Sequence, residues 1–137
     1  MRKTFILFLV ALFVISCDGP IQQPLDTKLI VDLVVNQNDW VESTDNDGLN
    51  RYYTSSFIMK EINSTVYNDG AVIAYIEIDN KQQILPYVRH YENADGIMWT
   101  KTVDFDYSNG KVTFYVTNSD FAVDPPETMY FRVILMW

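Results

Sequence analysis

The 137-residue sequence has one cysteine, one histidine, five glycines and five prolines. A single Cys excludes an intrachain disulfide framework, and one Cys with one His cannot build a Cys/His zinc site within the chain. No Gly-x-Ser-x-Gly elbow and no glycine-rich phosphate loop occurs, which removes the common acyl- and phosphoryl-transfer chemistries. Basic residues are scarce: 10 Lys and Arg stand against 18 Asp and Glu, for a net charge of −8. Such a surface is a poor partner for nucleic acid or for anionic headgroups.

What is present is apolar and β-forming. Hydrophobic residues make up 48% of the chain and charged residues 20%, which is globular composition and excludes disorder of the whole. The length suits one domain.

Arg2-Lys3 precedes an uninterrupted apolar run from Phe5 to Ile15. That run is shorter than the ~20 residues needed to span a bilayer, so it reads as a secretory signal. It ends in Val14-Ile15-Ser16-Cys17, which resembles the lipobox of bacterial lipoprotein signal peptides. The resemblance implies cleavage before Cys17 and acylation of its thiol and amino group. It also implies a membrane partner held through those acyl chains. Asp18 after the Cys resembles the inner-membrane retention signal of enteric bacteria. Other Gram-negative groups do not follow that rule, and the outer membrane is the favoured address.

The expected organisation is a signal over 1–16, a lipidated Cys and Pro/Gly-bearing tether over 17–28, and a domain over 29–137. Arg2 and Lys3 fall in the signal, leaving eight basic side chains against 18 acidic in the rest.

Beyond the tether no window keeps apolar residues at helical spacing, while Val, Ile, Tyr, Phe, Trp and Thr recur between turn signals. The pattern predicts an all-β, immunoglobulin-like antiparallel sandwich of seven to eight strands, with a small barrel as the alternative. Strands are expected at Leu29–Val35, Trp40–Glu42, Arg51–Met59, Ala71–Ile78, Gln83–Tyr91, Ile97–Phe105, Lys111–Thr117 and Met129–Met136. Glu61–Asn68 is either a further strand or a crossing connection. Leu29–Val35 is either central or buried on one face with Asp32 on the other.

Pro86 cannot donate a ladder hydrogen bond, which places its strand at an edge or a bulge. Asn68-Asp69-Gly70 reads as a turn that uses positive φ, and Asn109-Gly110 predicts a type I′ hairpin turn. The last strand is so apolar that it must lie inside a sheet or be covered.

Chemistry-bearing constellations are few. Ser43-Thr44-Asp45-Asn46-Asp47-Gly48 resembles the opening of a calcium loop, with Asp45 and Asp47 as ligands. The twelfth position is Thr54 rather than Glu, and side-chain-capped turns are the favoured reading. Carboxylates scatter from Asp39 to Glu127, and nothing in the sequence pairs any two for hydrolysis. His90 is read as a hydrogen-bonded packing residue rather than a catalyst.

Aromatics are the excess: three Trp and nine Tyr stand among them. Trp40, Tyr52, Tyr115 and Tyr130 are the candidate ligand-contacting rings, since a row of rings on a sheet face can stack sugar rings. Tyr is also an ordinary sheet former and surface cover.

Asn38-Asp39-Trp40, Tyr52-Tyr53, Asn68-Asp69-Gly70-Ala71-Val72, Leu85-Pro86-Tyr87, the Asp104–Tyr115 hairpin and Phe131-Arg132-Val133-Ile134 form a longer pattern. It is similar to that of short, uncharacterised β-rich lipoproteins of Gram-negative bacteria. The sequence thus points to a lipid-anchored, non-enzymatic binding or structural module of the envelope, without cofactor, whose partner is a protein or a glycan. The alternatives are a carbohydrate-binding module and a carboxylate-based hydrolase.

Overall fold

A computed structural model of the chain describes residues 27–121 and 124–137. The signal, Cys17 and nearly all of the tether lie outside the described residues. Nine strands form among the described residues: β1 Lys28–Val35, β2 Val41–Thr44, β3 Arg51–Ile58, β4 Ala71–Ile78, β5 Lys81–Ile84, β6 Tyr87–Glu92, β7 Met98–Ser108, β8 Lys111–Asn118 and β9 Met129–Met136. They make two antiparallel sheets, ordered β1-β9-β4-β5 and β2-β3-β8-β7-β6. This is the expected all-β sandwich rather than a barrel. Its first strand pairs with its last, an order of its own rather than the ABED/CFG arrangement of immunoglobulin domains.

Alternation assigns the core. In β9, Met129, Phe131, Val133 and Leu135 are buried, and β9 lies between β1 and β4 as its apolarity requires. Val112, Phe114 and Val116 of β8 face them from the other sheet. Phe114 stacks on Phe131 with ring centroids 4.0 Å apart, joining the two layers. β1 is an edge strand rather than a central one. Leu29, Val31, Leu33 and Val35 turn inward, while Asp32 turns outward to Arg132, its partner in register.

Three local readings are corrected and one open alternative is settled. The run Gln83–Tyr91 is two strands, because the chain leaves the four-stranded sheet at β5 and enters the five-stranded one at β6, with a cis Leu85–Pro86 bond between them. Of the two alternatives for Glu61–Asn68 the crossing connection holds: it links β3 of one sheet to β4 of the other and contains a short helix, α1, Ser64–Asp69. Its N-cap is Asn63, whose Oδ1 accepts from the Thr65 and Val66 amides at 2.9 and 3.1 Å.

Gly70 does not use positive φ. It is small because a Cβ there would sit 2.4 Å from the Met136 carbonyl oxygen. The type I′ requirement of two positive φ values is met at Asp79 and Asn80 (53° and 59°), not at Asn109-Gly110, where only Gly110 takes one.

Trp40 belongs to the core rather than to a ligand surface. Its side chain packs edge-on against Phe131 and its Nε1–H donates to the Glu127 carbonyl at 3.2 Å. Trp40→Phe is expected to lower unfolding stability by about 1–2 kcal/mol through loss of that bond and some packing, leaving any ligand affinity unchanged. Denaturant unfolding beside a binding titration checks both.

Candidate functional site

Of the four rings singled out in the sequence, the fold brings two together. β3 pairs with β8 so that Thr54 lies opposite Tyr115, which sets Tyr52 diagonally across from Tyr115 on the outer face of the five-stranded sheet. Their ring centroids are 6.2 Å apart and tilted by 49°. Tyr130 is exposed on the outer face of the other sheet, and Trp40 is in the core, so neither joins them.

β7, on the far side of β8, completes the site. Asp104 is the register partner of Tyr115, and Asp106 is the partner of Thr113. The Tyr115 hydroxyl donates to Asp106 Oδ2 at 2.7 Å. Burial and then this bond to a carboxylate push the Tyr115 phenol up to about 12, so it stays protonated and remains a donor. Asp104 is half-buried, and desolvation followed by the nearby charge of Asp106 raises its carboxyl above the ordinary carboxylate range. Tyr52, Asp104, Phe105, Asp106, Tyr115 and Thr117 bound a shallow, open concavity of about 350 Å³.

The carboxylates are what sequence reasoning missed. Asp104 was one of the scattered carboxylates, and nothing local could show that β3 and β8 would set two tyrosines beside it. Chemically, the concavity offers two ring faces, two carboxylate acceptors and a hydroxyl rim. Asp104 carries a testable cost. With a folded-state pKa above the unfolded value, its ionised form disfavours folding, so its effect on stability is absent in acid and grows as pH rises through the raised pKa. Asp104→Asn is expected to raise the urea midpoint at pH 7 and to change it little at pH 3.

A second aromatic group lies at the open end of the sandwich. Tyr91 of β6 stacks on Trp99 of β7 at 5.5 Å, and the Lys101 ammonium sits 5.6 Å from the Tyr91 ring centre while pairing with Glu127 at 3.1 Å. These residues line a cleft of about 410 Å³ together with Asn118, whose buried Oδ1 has no hydrogen-bond partner among the described residues.

The other sequence candidates resolve locally. Asp45 accepts from the Leu49 and Asn50 amides and from the Asn50 side chain, and Asp47 accepts from the Leu49 amide. Asp45 is held below its ordinary range by its hydrogen bond with Asp47 and by those with Asn50 and Leu49. Its oxygens serve the turn, and no cluster of three or more metal-ligating side chains occurs among the described residues. His90 Nδ1 lies 2.9 Å from the Thr100 hydroxyl on an exposed strand pair. Ser108 and Lys111 have Ser-x-x-Lys spacing, but they are exposed partners flanking a hairpin turn. No helix among the described residues is long and apolar enough to cross a membrane. Comparison of the chain with models of protein families, with curated proteins and with solved structures gives no match in any of the three.

Proposed function

We propose that the chain is a lipid-anchored envelope module that binds a glycan on the outer face of its five-stranded sheet. The observation that carries the binding part is the Tyr52–Tyr115 pair set beside Asp104 and Asp106 in one open concavity. Ring faces cover the apolar faces of a sugar, and carboxylates accept from its hydroxyls. A fixed, protonated Tyr115 hydroxyl adds orientation. The anchor rests on Val14-Ile15-Ser16-Cys17, and acyl chains on Cys17 make the membrane the protein's standing partner.

Binding is favoured over hydrolysis by the arrangement of the acids. Asp104 and Asp106 lie two residues apart on one strand, about 6.6 Å along it, and project from the same face. Glycoside hydrolysis needs two carboxylates flanking the scissile bond, and these approach a ligand from one side. The site is therefore read as holding a glycan rather than cleaving it.

Each of Tyr52→Ala and Tyr115→Ala is expected to weaken oligosaccharide affinity about tenfold, corresponding to ~1.4 kcal/mol per ring, with Tyr130→Ala unaffected. Titration calorimetry against glycans selected on an array measures this. Equal affinities across the three variants would remove the site.

A further inference from the structure

We propose that the outer face of the four-stranded sheet rests on the lipid bilayer to which Cys17 is anchored, so that the glycan-binding face points away from the membrane. This inference rests on the lipobox reading of Cys17. Register builds the face in rows: Ile30, Ile134 and Ile73 align across β1, β9 and β4, and Lys28, Met136 and Ala71 align beside them. Val34 and Tyr130 lie on the same face, and Ile84 joins from β5 opposite Tyr75. Ile30, Val34, Ile84 and Tyr130 are 43–57% exposed, so four large apolar side chains stand in water on one side of the molecule. The outer face of the other sheet also exposes large apolar side chains, Val41, Ile58, Val88 and Met98, but these sit on separate strands and rows, whereas here an isoleucine row runs unbroken across three adjacent strands and marks a surface that meets something else.

Two observations identify the bilayer as the occupant. The first is where the chain outside the structure joins it. Thr27 continues the β1–β9 ladder by pairing with Trp137 (3.1 and 3.0 Å), and Cys17 lies ten residues before it. Ten residues reach at most about 35 Å, and β1, the edge strand of this very sheet, begins there. The tether enters at the Lys28–Met136–Ala71 end, next to the isoleucine row.

The second observation is charge. The chain from Cys17 onward has 8 basic and 18 acidic side chains, a net charge of −10, which opposes approach to a bilayer bearing anionic lipid. This face is balanced: Arg132 holds Asp32 at 2.7 Å, and Lys28 stands with Glu77 as the remaining charges on those rows. Asp32 is held below its ordinary range by its hydrogen bond to Arg132 and by that residue's charge, and the two charges offset each other on this face. Isoleucine, valine and tyrosine side chains at the interface are the composition expected of a surface that lies on a membrane rather than crosses it.

The test uses the acylated full-length protein purified from its native membrane and reconstituted in phosphatidylcholine vesicles. Cys17 is the sole native cysteine, so in the acylated chain an introduced cysteine is the only free thiol. Val34→Cys and Ile84→Cys, both exposed positions of the face, are labelled with an environment-sensitive fluorophore. Ile58→Cys, 78% exposed on the outer side of the five-stranded sheet, is the control.

The expected result is blue-shifted emission at 34 and 84 that brominated lipid quenches, with position 58 remaining in water. Equal emission at all three positions, with acyl mass on Cys17 confirmed, overturns the orientation alone. A blue shift at 34 and 84 that brominated lipid does not quench, and that grows with protein concentration, marks a second copy on this face and also overturns it. Absence of acyl mass on Cys17 overturns the anchor, and the orientation with it.

Discussion

Phe114→Ala should lower the free energy of unfolding by about 3–5 kcal/mol, the range for removing a large aromatic ring from a packed core. Phe114 is fully buried at the centre of the sandwich. It stacks on Phe131 of the opposite sheet at 4.0 Å and meets Phe57 and Phe105 of its own sheet at 6.2 and 6.4 Å. Its removal leaves a void bounded by rigid strands on both sides, which cannot collapse to fill it. A domain of this size has about 5–15 kcal/mol to lose, so a large share of the stability goes with one ring. Urea unfolding measures the loss, and Phe114→Leu should fall between the alanine variant and the parent. A loss under 1 kcal/mol would mean that the two sheets do not meet at this ring.

Cys17→Ala, compared with the parent as chains beginning at residue 17 so that the Phe5–Ile15 run is gone from both, should abolish stable membrane association. Each acyl methylene contributes ~0.8 kcal/mol when buried, and even one myristoyl-length chain gives a partition constant of ~10⁴ M⁻¹. Losing two or three chains should therefore reduce membrane partitioning by several orders of magnitude, leaving at most a weak, reversible contact through the apolar sheet face. Intact mass reads the chemistry directly: the parent should begin at Cys17 and carry acyl mass, and the variant should carry none. A parent chain with an unmodified Cys17 thiol contradicts the anchor.

The sheet pattern was legible where one physical rule decided it. β9 alternates Met129, Phe131, Val133 and Leu135 inward, and its apolarity demanded an interior position, which it holds between β1 and β4. Asp32 marked the outer face of β1 for the same reason. Where two rules competed, the sequence was ambiguous. Pro86 signalled an edge or a bulge, and β5 and β6 are both edge strands, but one edge strand and a passage between two edges carry the same local signature. Only the partners of β5 and β6 distinguish them.

The six residues of α1 are too few for a hydrophobic period, and its signal in the sequence was one N-cap residue, Asn63. Gly70 looked like a turn glycine, yet its reason lies in the Met136 backbone, 66 residues away in sequence.

The site was legible by half. Tyr52 and Tyr115 were among the candidate ligand-contacting rings, but their meeting depends on the β3–β8 register, which no local pattern sets. Trp40 sits between Asp39 and Val41 in a polar stretch, and its burial comes from Phe131 and Glu127, far along the chain. Asp104 and Asp106 were two acids among 18 until the strands placed them beside tyrosines.

The measurement that tests the account most directly is residue-resolved NMR mapping of an oligosaccharide titrated into the labelled protein. The account predicts that the amide and side-chain signals of Tyr52, Asp104, Asp106, Tyr115 and Thr117 move together and saturably, while those of Trp99 and Asn118 in the end cleft stay in place. Perturbations confined to the Trp99 cleft, or none with any glycan tested, would contradict it.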